Sequence, residues 1–393
     1  MFDLATKPPT RLTADPISHP LTVRPRPEMP DAISFQIDPE EVKRIHRDTN
    51  LPMNATGTIR LVVTPDSKLF ASQTTANGAQ SVSTEVKLSK PIADRTPKAV
   101  SIDIATRVFR ILGESFDRTI ISFDPSNPKA VTCRNGDARL RLEALVQSID
   151  IEEDSPSFTG MASSEHLKKG IAFVSYQKPA KTDRLIYNGF VLKSGTFSGI
   201  VQGLLNSYTS PDIDPALSFV QPKVQAANLV AALAKMMGDV ALYSTDRSLY
   251  LRANNIEMRS DHGGTWPQNE VRANAFPSLA SLIVDQQQLY KELLLLNIFA
   301  KTGYFTLKTS EDKSRLHIRG LNAECKSEAS IKVGADAELA TNFDEFALNV
   351  PVLRRLFEMI DADSVTLEIG DNFVRIKSNG EGYDTTSVAP MVE

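Results

Sequence analysis

The sequence predicts an α+β chain built from six copies of one small unit, paired into three similar domains. Three observations predict it. A pattern of about 60 residues recurs, each copy running from an apolar strand through a short polar step into a compact helix and then into two or three turn-linked strands. The 393 residues exceed what one core usually serves, and a prior of roughly two to three domains of about 150 residues is met by three domains of two units each. Hydrophobic content of 41% and charged content of 23% are those of a soluble globular protein.

Taken in order, residues 1–30 form a leader whose prolines deny it helix and central strand. Ser34-Phe35-Gln36-Ile37 alternates like a half-buried strand, and Asp38-Pro39-Glu40-Glu41 supplies an N-cap, a first-turn proline and an acidic first turn. The helix that follows carries Val42 and Ile45 on its apolar side, and IRLVVTP, KLFASQT and VSTEVKL complete the unit as strands. The second unit opens with SIDIATRVFRILG, where Ile104, Val108, Ile111 and Leu112 fall at helical spacing and Gly113 is placed to cap the helix. TIISFDP, AVTCRNG and ARLRLEAL follow, punctuated by Asp-Pro and Asn-Gly turns.

The acidic stretch 151–157 reads as a linker, so the first domain spans 31–157. MASSEHLKKGIAF and SFVQPKVQAANLVAALAKMM open the third and fourth units, within a second domain of 158–277 that ends at Phe276-Pro277. SLIVDQQQLYKELLLL opens the fifth. In the sixth, Glu345-Phe346-Ala347-Leu348-Asn349 runs into a helix over Pro351–Ile360 and then into SVTLEIG, NFVRIKS and TTSVAPM, closing a third domain of 278–393.

Several function classes drop out. No apolar run approaches the roughly 18 residues that span a bilayer, and prolines stand where a secretory signal would be apolar, so a cytoplasmic protein is expected. Cys133 and Cys325 lie on separate repeats, with no CxxC pair. His19, His46, His166, His262 and His317 show no spacing that puts two ligands on one helix face. Neither metal nor cofactor is expected. GxxxxGK[ST], GxGxxG and GxSxG are all absent. Asp261-His262-Gly263-Gly264 reads as a loop between strands, and Asp361, Asp363 and Glu368 as a solvated turn. A chain of this kind holds, spans or encircles something; it is not expected to be an enzyme.

A net charge of −4 taken alone argues against nucleic-acid binding. Its distribution argues otherwise. Every expected helix carries Lys or Arg off its apolar stripe: Lys43, Arg44 and Arg47; Arg107 and Arg110; Lys168 and Lys169; Lys235; Lys291 and Lys301; Arg354 and Arg355. If the six helices line one surface, that surface is basic. The alternative is that these are solvated helix faces made of good helix formers.

The C-terminal segment EFALNVPVLRRLFEMIDADSVTLEIGDNFVRIKSNGEGYDTTSVAPMVE resembles the final half-domain of the bacterial DNA polymerase III beta subunit, the sliding clamp. HIRGLNAECKSEASIKV resembles the strands before it. Leu185-Ile186-Tyr187-Asn188-Gly189-Phe190 is similar to the strand opening the family's middle domain, and Ala275-Phe276-Pro277 to its Phe-Pro junction. The resemblance is best over 158–393 and collinear over 31–150, and the leader has no counterpart.

This resemblance implies three clamp domains, each with helices on one face and antiparallel sheets on the other, forming half of a closed ring. Clamps of this family form rings of twelve units, so a chain of six implies a head-to-tail homodimer that encircles duplex DNA. The basic residues above would then face the channel, holding phosphates without reading bases, while polymerase and clamp-loader subunits dock through short peptides. For the docking groove the resemblance implies Tyr187, Val201, Gly203, Leu204, Leu205, Pro277, Leu282, Val388, Ala389, Pro390, Met391 and Val392. Ile200-Val201-Gln202-Gly203-Leu204-Leu205-Asn206 departs from the family's Ala-Thr-Asp-Gly-His-Arg-Leu stretch, and Ala389 and Val392 replace its usual Met and Arg, so a divergent peptide is expected. The competing reading is a clamp-derived adaptor or regulator that keeps the groove but closes no ring.

Overall fold

A computed structural model describes residues 33–390, apart from single positions and short stretches of which the longest are 176–187, 267–276 and 333–345. The leader, the start of the expected linker, Lys301, Tyr187, Phe276, Met391 and Val392 lie outside the described residues.

The six units follow one another in chain order. The first is β1 (Ile33–Ile37), α1 (Pro39–Thr49), β2 (Thr58–Val63), β3 (Leu69–Thr74) and β4 (Gln80–Glu85); the second is β5 (Ala99–Ala105), α2 (Thr106–Gly113), β6 (Thr119–Phe123), β7 (Val131–Asn135) and β8 (Ala138–Leu142), with β9 (Leu145–Ile149) after it. The third is β10 (Ser157–Ser163), α3 (Ser164–Ser175), β11 (Gly189–Lys193), β12 (Thr196–Val201) and β13 (Leu204–Thr209). The fourth is β14 (Ser218–Pro222), a 3-10 turn (Lys223–Gln225), α4 (Ala226–Leu233), β15 (Asp239–Ser244), β16 (Ser248–Ala253) and β17 (Ile256–Asp261). The fifth is β18 (Ala280–Asp285), α5 (Gln286–Phe299), β19 (Tyr304–Thr309), β20 (Arg315–Gly320) and β21 (Glu328–Lys332); the sixth is β22 (Phe346–Asn349), α6 (Val350–Phe357), β23 (Ser364–Ile369), β24 (Phe373–Gly380) and β25 (Tyr383–Pro390).

Units pair by exchanging their opening strands. β1 joins β6-β7-β8, whereas β5 joins β2-β3-β4; the same exchange gives β10-β15-β16-β17 with β14-β11-β12-β13, and β18-β23-β24-β25 with β22-β19-β20-β21. Neither unit of a pair can therefore complete its sheet alone. The helices pack in matching pairs, α1 on α2, α3 on α4 and α5 on α6. Two larger sheets arise where half-sheets fuse: β4 pairs antiparallel with β17, and β13 with β25. Each fusion joins the last strand of a pair's first unit to the last strand of the next pair's second unit.

Local chemistry explains most elements. In α1, Pro39 occupies the first turn, Glu40 and Glu41 face the N-terminal end of the helix dipole, and His46 and Arg47 face the other. Val42 and Ile45 are buried. Asp48 is buried as well, held by Arg44 (2.9 Å) and Arg47 (2.9 Å).

The second helix departs from expectation. Strand β5 continues through Ala105, so the helix begins at Thr106 and its phase is set there: Phe109 and Leu112 are buried, Ile104 belongs to the strand, and Ile111 is 60% exposed. Gly113 is the last helical residue rather than a left-handed cap. Its role is close approach, since a Cβ there would lie 3.1 Å from Lys43 Cγ of the paired helix.

One core fills the first pair of units, including Ile37, Leu61, Phe109 and Phe123. A second runs continuously through the remaining four, from Leu167 and Phe197 to Leu356 and Ile376, and takes in Leu51 and Val82 of the first unit. No described helix is long and apolar enough to cross a membrane.

Candidate functional site

Strands far apart in sequence meet where β13 pairs with β25, placing Leu205 opposite Val388. Alternation along a strand sends neighbouring side chains to opposite faces. Leu204, Tyr208 and Ala389 accordingly enter the main core. Leu205 and Val388 point the other way and form a separate apolar cluster, against which Ile200, Trp266 and Phe373 pack while staying partly exposed. Ile200 is the partner of Leu205 across the β12–β13 hairpin, whose turn includes Gly203 in the left-handed region at φ 83°.

Charged groups frame the patch. Arg375 stands opposite Val388, with its guanidinium carbon 5.5 Å from the Phe373 ring centroid and Nη1 2.5 Å from Glu368. Lys377 reaches the same carboxylate at 2.6 Å. Burial alone would raise the Glu368 carboxyl, but the hydrogen bonds from Lys377 and Arg375 hold it below its ordinary value. Aromatic edges beside open apolar surface suit an extended apolar peptide.

Of the groove residues expected from the sequence, the structure brings Leu205 and Val388 together on this patch. Leu204, Leu282 and Ala389 sit in the core, Val201 is buried, Gly203 and Pro277 are exposed, and Pro390 pairs with Phe373 at the end of β25. Ile200, Trp266 and Phe373 were not anticipated; Trp266 is the only tryptophan, and tryptophan beside a proline turn was the available signal.

The other junction differs in kind. There Ser81 faces Arg259 at the corresponding register, and on the buried side a chain of amides continues from the apolar Val82–Met258 pair. Asn228 Oδ1 accepts from Met53 N–H (2.9 Å), and its Nδ2 donates to Met53 O (3.1 Å) and Gln80 Oε1 (2.9 Å). Gln80 Nε2 donates to Ser260 Oγ (3.1 Å), which lies 2.9 Å from Gln221 Oε1 and 2.8 Å from Gln225 Oε1. Gln221 continues to His262 Nδ1 (3.3 Å), and His262 Nε2 to Ser244 Oγ (3.0 Å).

His262 thus belongs to a structural network. At Gly264, two residues on, φ is +81° and an added Cβ would lie 2.9 Å from Gly189 Cα. Among the described residues no three His, Cys, Asp or Glu side chains gather as a metal site. Cys133 is fully buried and its thiol is pushed up to about 11 by that burial.

The basic residues divide by their engagements. Arg44 is committed to Glu41 (2.6 Å), Asp48, Thr84 (2.8 Å) and the Glu85 carbonyl (2.6 Å). Lys43 pairs with Glu40 (2.7 Å), Arg354 with Glu358 (3.3 Å), and Lys169 with Glu165 (2.9 Å) while its Nζ lies 5.1 Å from the Tyr383 ring centroid. Lys235 follows α4 rather than lying on it, and its Nζ donates to the carbonyls of Asn50 (2.7 Å) and Asp48 (3.3 Å).

Arg107, Arg110, Lys168, Lys291 and Arg355 form no ion pair or side-chain hydrogen bond with described residues, and all but the half-buried Lys168 are exposed. His46 registers the local field: its imidazole is held below the ordinary value by burial and by the charges of Arg110 and Lys235.

Neither a family model nor a curated protein sequence matches the chain. Solved structures do. A putative DNA polymerase III beta subunit from Eubacterium rectale matches with a TM-score of 0.75 at 11% identity, over 92% of this chain and 100% of that one. The DNA polymerase III subunit beta of Pseudomonas aeruginosa gives 0.72 at 17% identity, over 92% and 99%. A sliding clamp from the same organism, bound to griselimycin, gives 0.71 at 16% identity, over 92% and 100%. With TM-scores above 0.7 over 92% of its length, the chain has the fold of the DNA polymerase III beta subunits, the bacterial sliding clamps.

Proposed function

We propose that the chain is a DNA sliding clamp of three domains, 31–157, 158–277 and 278–393, two copies of which close head to tail around duplex DNA. The observation that carries this reading is the pairing rule of the half-sheets. Each seam joins the last strand of a pair's first unit to the last strand of the next pair's second unit, as β4 to β17 and β13 to β25. Two strands remain that satisfy the same rule, β21 and β8, and each is the edge of a four-stranded sheet. Joined between two chains, they continue the order and close it.

Leu140 supports this assignment. It lies opposite the fully buried Cys133, on the core-facing side of β8. It is nevertheless 48% exposed, because the sheet ends there. An adjoining strand would cover it and satisfy the open backbone groups of the edge.

Inside such a ring the unengaged Arg107, Arg110, Lys168, Lys291 and Arg355, with the other helix cations and Lys301, would meet phosphates without reading bases. Topology supplies retention, so salt-screened contacts suffice and sliding stays permitted. The Leu205–Val388 patch would take short peptides of a polymerase and a clamp loader. The role is that of a non-catalytic processivity factor in the cytoplasm.

Molar mass by light scattering, combined with retention on closed circular duplex, tests the reading. Twice the mass of one chain is expected, with complexes that survive on circular DNA and are lost once it is linearised. A monomer that binds peptide but is not retained would establish the adaptor reading instead.

A further inference from the structure

Beneath the first seam, the C-terminal half of α1, the β16–β17 turn and the loop after α4 enclose a cleft of about 170 Å³. Its lining holds four cations, Arg44, Arg47, Lys87 and Lys235, and one carboxylate, Asp48. Arg44 is largely neutralised by Glu41 and Asp48, and Arg47 shares Asp48. Two positive charges are left over in a chain whose net charge is −4.

Donors are left over as well. Arg47 uses only Nε on Asp48, so its two terminal nitrogens are open. Lys87 is exposed, and its ammonium bonds no described residue. Lys235 spends two of its three N–H groups on carbonyls. Burial, the largest cause, and the nearby Arg47 pull the Lys235 ammonium down to about 8 against the pull of Asp48. Keeping a half-buried cation there works against the fold, as is common where a charge serves a ligand.

We propose that this cleft seats one phosphate group and that, on the clamp reading above, the phosphate belongs to the DNA backbone. Donors from three separate segments, Arg47 of α1, Lys87 after β4 and Lys235 after α4, converge on a cleft able to hold a tetrahedral anion, and phosphate rewards such multiple charge-assisted donation. The cleft exists only when the first and second pairs of units are docked. It would therefore sense the seam and the DNA together.

The test uses the full chain and the double variant Lys87→Gln with Arg47→Gln, both exposed positions that leave α1 and Lys235 in place. Inorganic phosphate is titrated at ionic strength held constant with chloride, following thermal stability. The salt dependence of binding to a short linear duplex is then measured by anisotropy. The proposal expects phosphate to stabilise the wild type and not the variant, and the slope of log affinity against log salt to fall by about one in the variant.

Loss of the phosphate response with an unchanged slope would keep the seat but assign it to free phosphate, overturning the DNA source. An equal phosphate response in both proteins would overturn the seat. Should the wild type bind no duplex while the phosphate response still depends on Lys87 and Arg47, the clamp reading fails and the seat stands.

Discussion

Replacing Leu140 with Asp probes ring closure at one atom-scale point. Fully burying a leucine side chain is worth about 1.5–3 kcal/mol, and Leu140 is already about half covered, so each interface gains roughly 1 kcal/mol from it. An aspartate loses that gain and must also be desolvated. Neutralising it at pH 7 sets an upper bound of about 4 kcal/mol, and partial solvation at a sheet edge reduces the total to roughly 3 kcal/mol per interface.

A closed pair of chains breaks two such interfaces when it dissociates. The effect is therefore about 6 kcal/mol, roughly a ten-thousandfold weaker dimer. Leu140→Ala, losing only the apolar term, should weaken it roughly thirtyfold. Sedimentation across a concentration series reads the constant directly, and retention on circular duplex should fall in parallel. Circular dichroism controls for folding. A folded Leu140→Asp chain that dimerises within threefold of wild type would refute the assignment of β8 to the interface.

Four further outcomes are expected. Trp266→Ala should weaken an apolar clamp-binding peptide by about 2 kcal/mol, roughly thirtyfold, in calorimetry, while DNA retention is unchanged. Reversing Arg107 and Arg110 to Glu should shorten retention on circular DNA and lower the salt slope by about two; an unaltered slope would remove both from the channel. Asn228→Ala strands Met53 N–H, Met53 O and Gln80 Oε1 at a buried seam, costing about 3 kcal/mol, and hydrogen exchange at the Met53 amide should accelerate roughly a hundredfold.

The fourth concerns pH. The folded chain resists protonating His46, so as pH falls through about 6.5 the unfolded state takes up a proton that the folded state refuses, and stability declines. His46→Gln should flatten that part of the stability profile between pH 7 and 5. An unchanged profile would show that burial and the Arg110 and Lys235 charges do not act on this imidazole.

Local pattern carried the sequence of units. Asp38-Pro39-Glu40-Glu41 marks α1 because proline and dipole act within one turn, although the expected Asp38 cap forms no side-chain bond and its carboxylate pairs with Arg118 instead; recurrence of such openings makes the six-unit plan visible. What local pattern cannot carry is pairing between distant strands. Leu204 and Leu205 are alike in sequence, and only the register of β13 on β25 sends one into the core and the other onto the outer patch. Phe373 reaches Leu205 from β24 and Trp266 from the segment after β17, and no local spacing marks either meeting. The phase of α2 differs from the apolar spacing because Ile104 continues a strand, and nothing in that spacing marks where a strand hands over to a helix. Lys235 was expected on a helix, but α4 stops at Leu233.

The amide chain at the first seam bears on how three look-alike modules find the right neighbours. Each pair of units presents strand edges that could accept an edge from any other pair, and a wrong match would make equally good backbone bonds. Gln80 of the first pair is satisfied by Asn228, Ser260 and the Gln225 carbonyl of the second, and Asn228 in turn by the Met53 backbone of the first. Set against the apolar underside of another edge, they would be buried without partners, at about 1–3 kcal/mol each. The seam therefore works as a key: its polar groups add modestly to the correct assembly and penalise every incorrect one. On the clamp reading, a nascent chain that has matched its first two pairs is thereby steered to leave β8 open for a second copy.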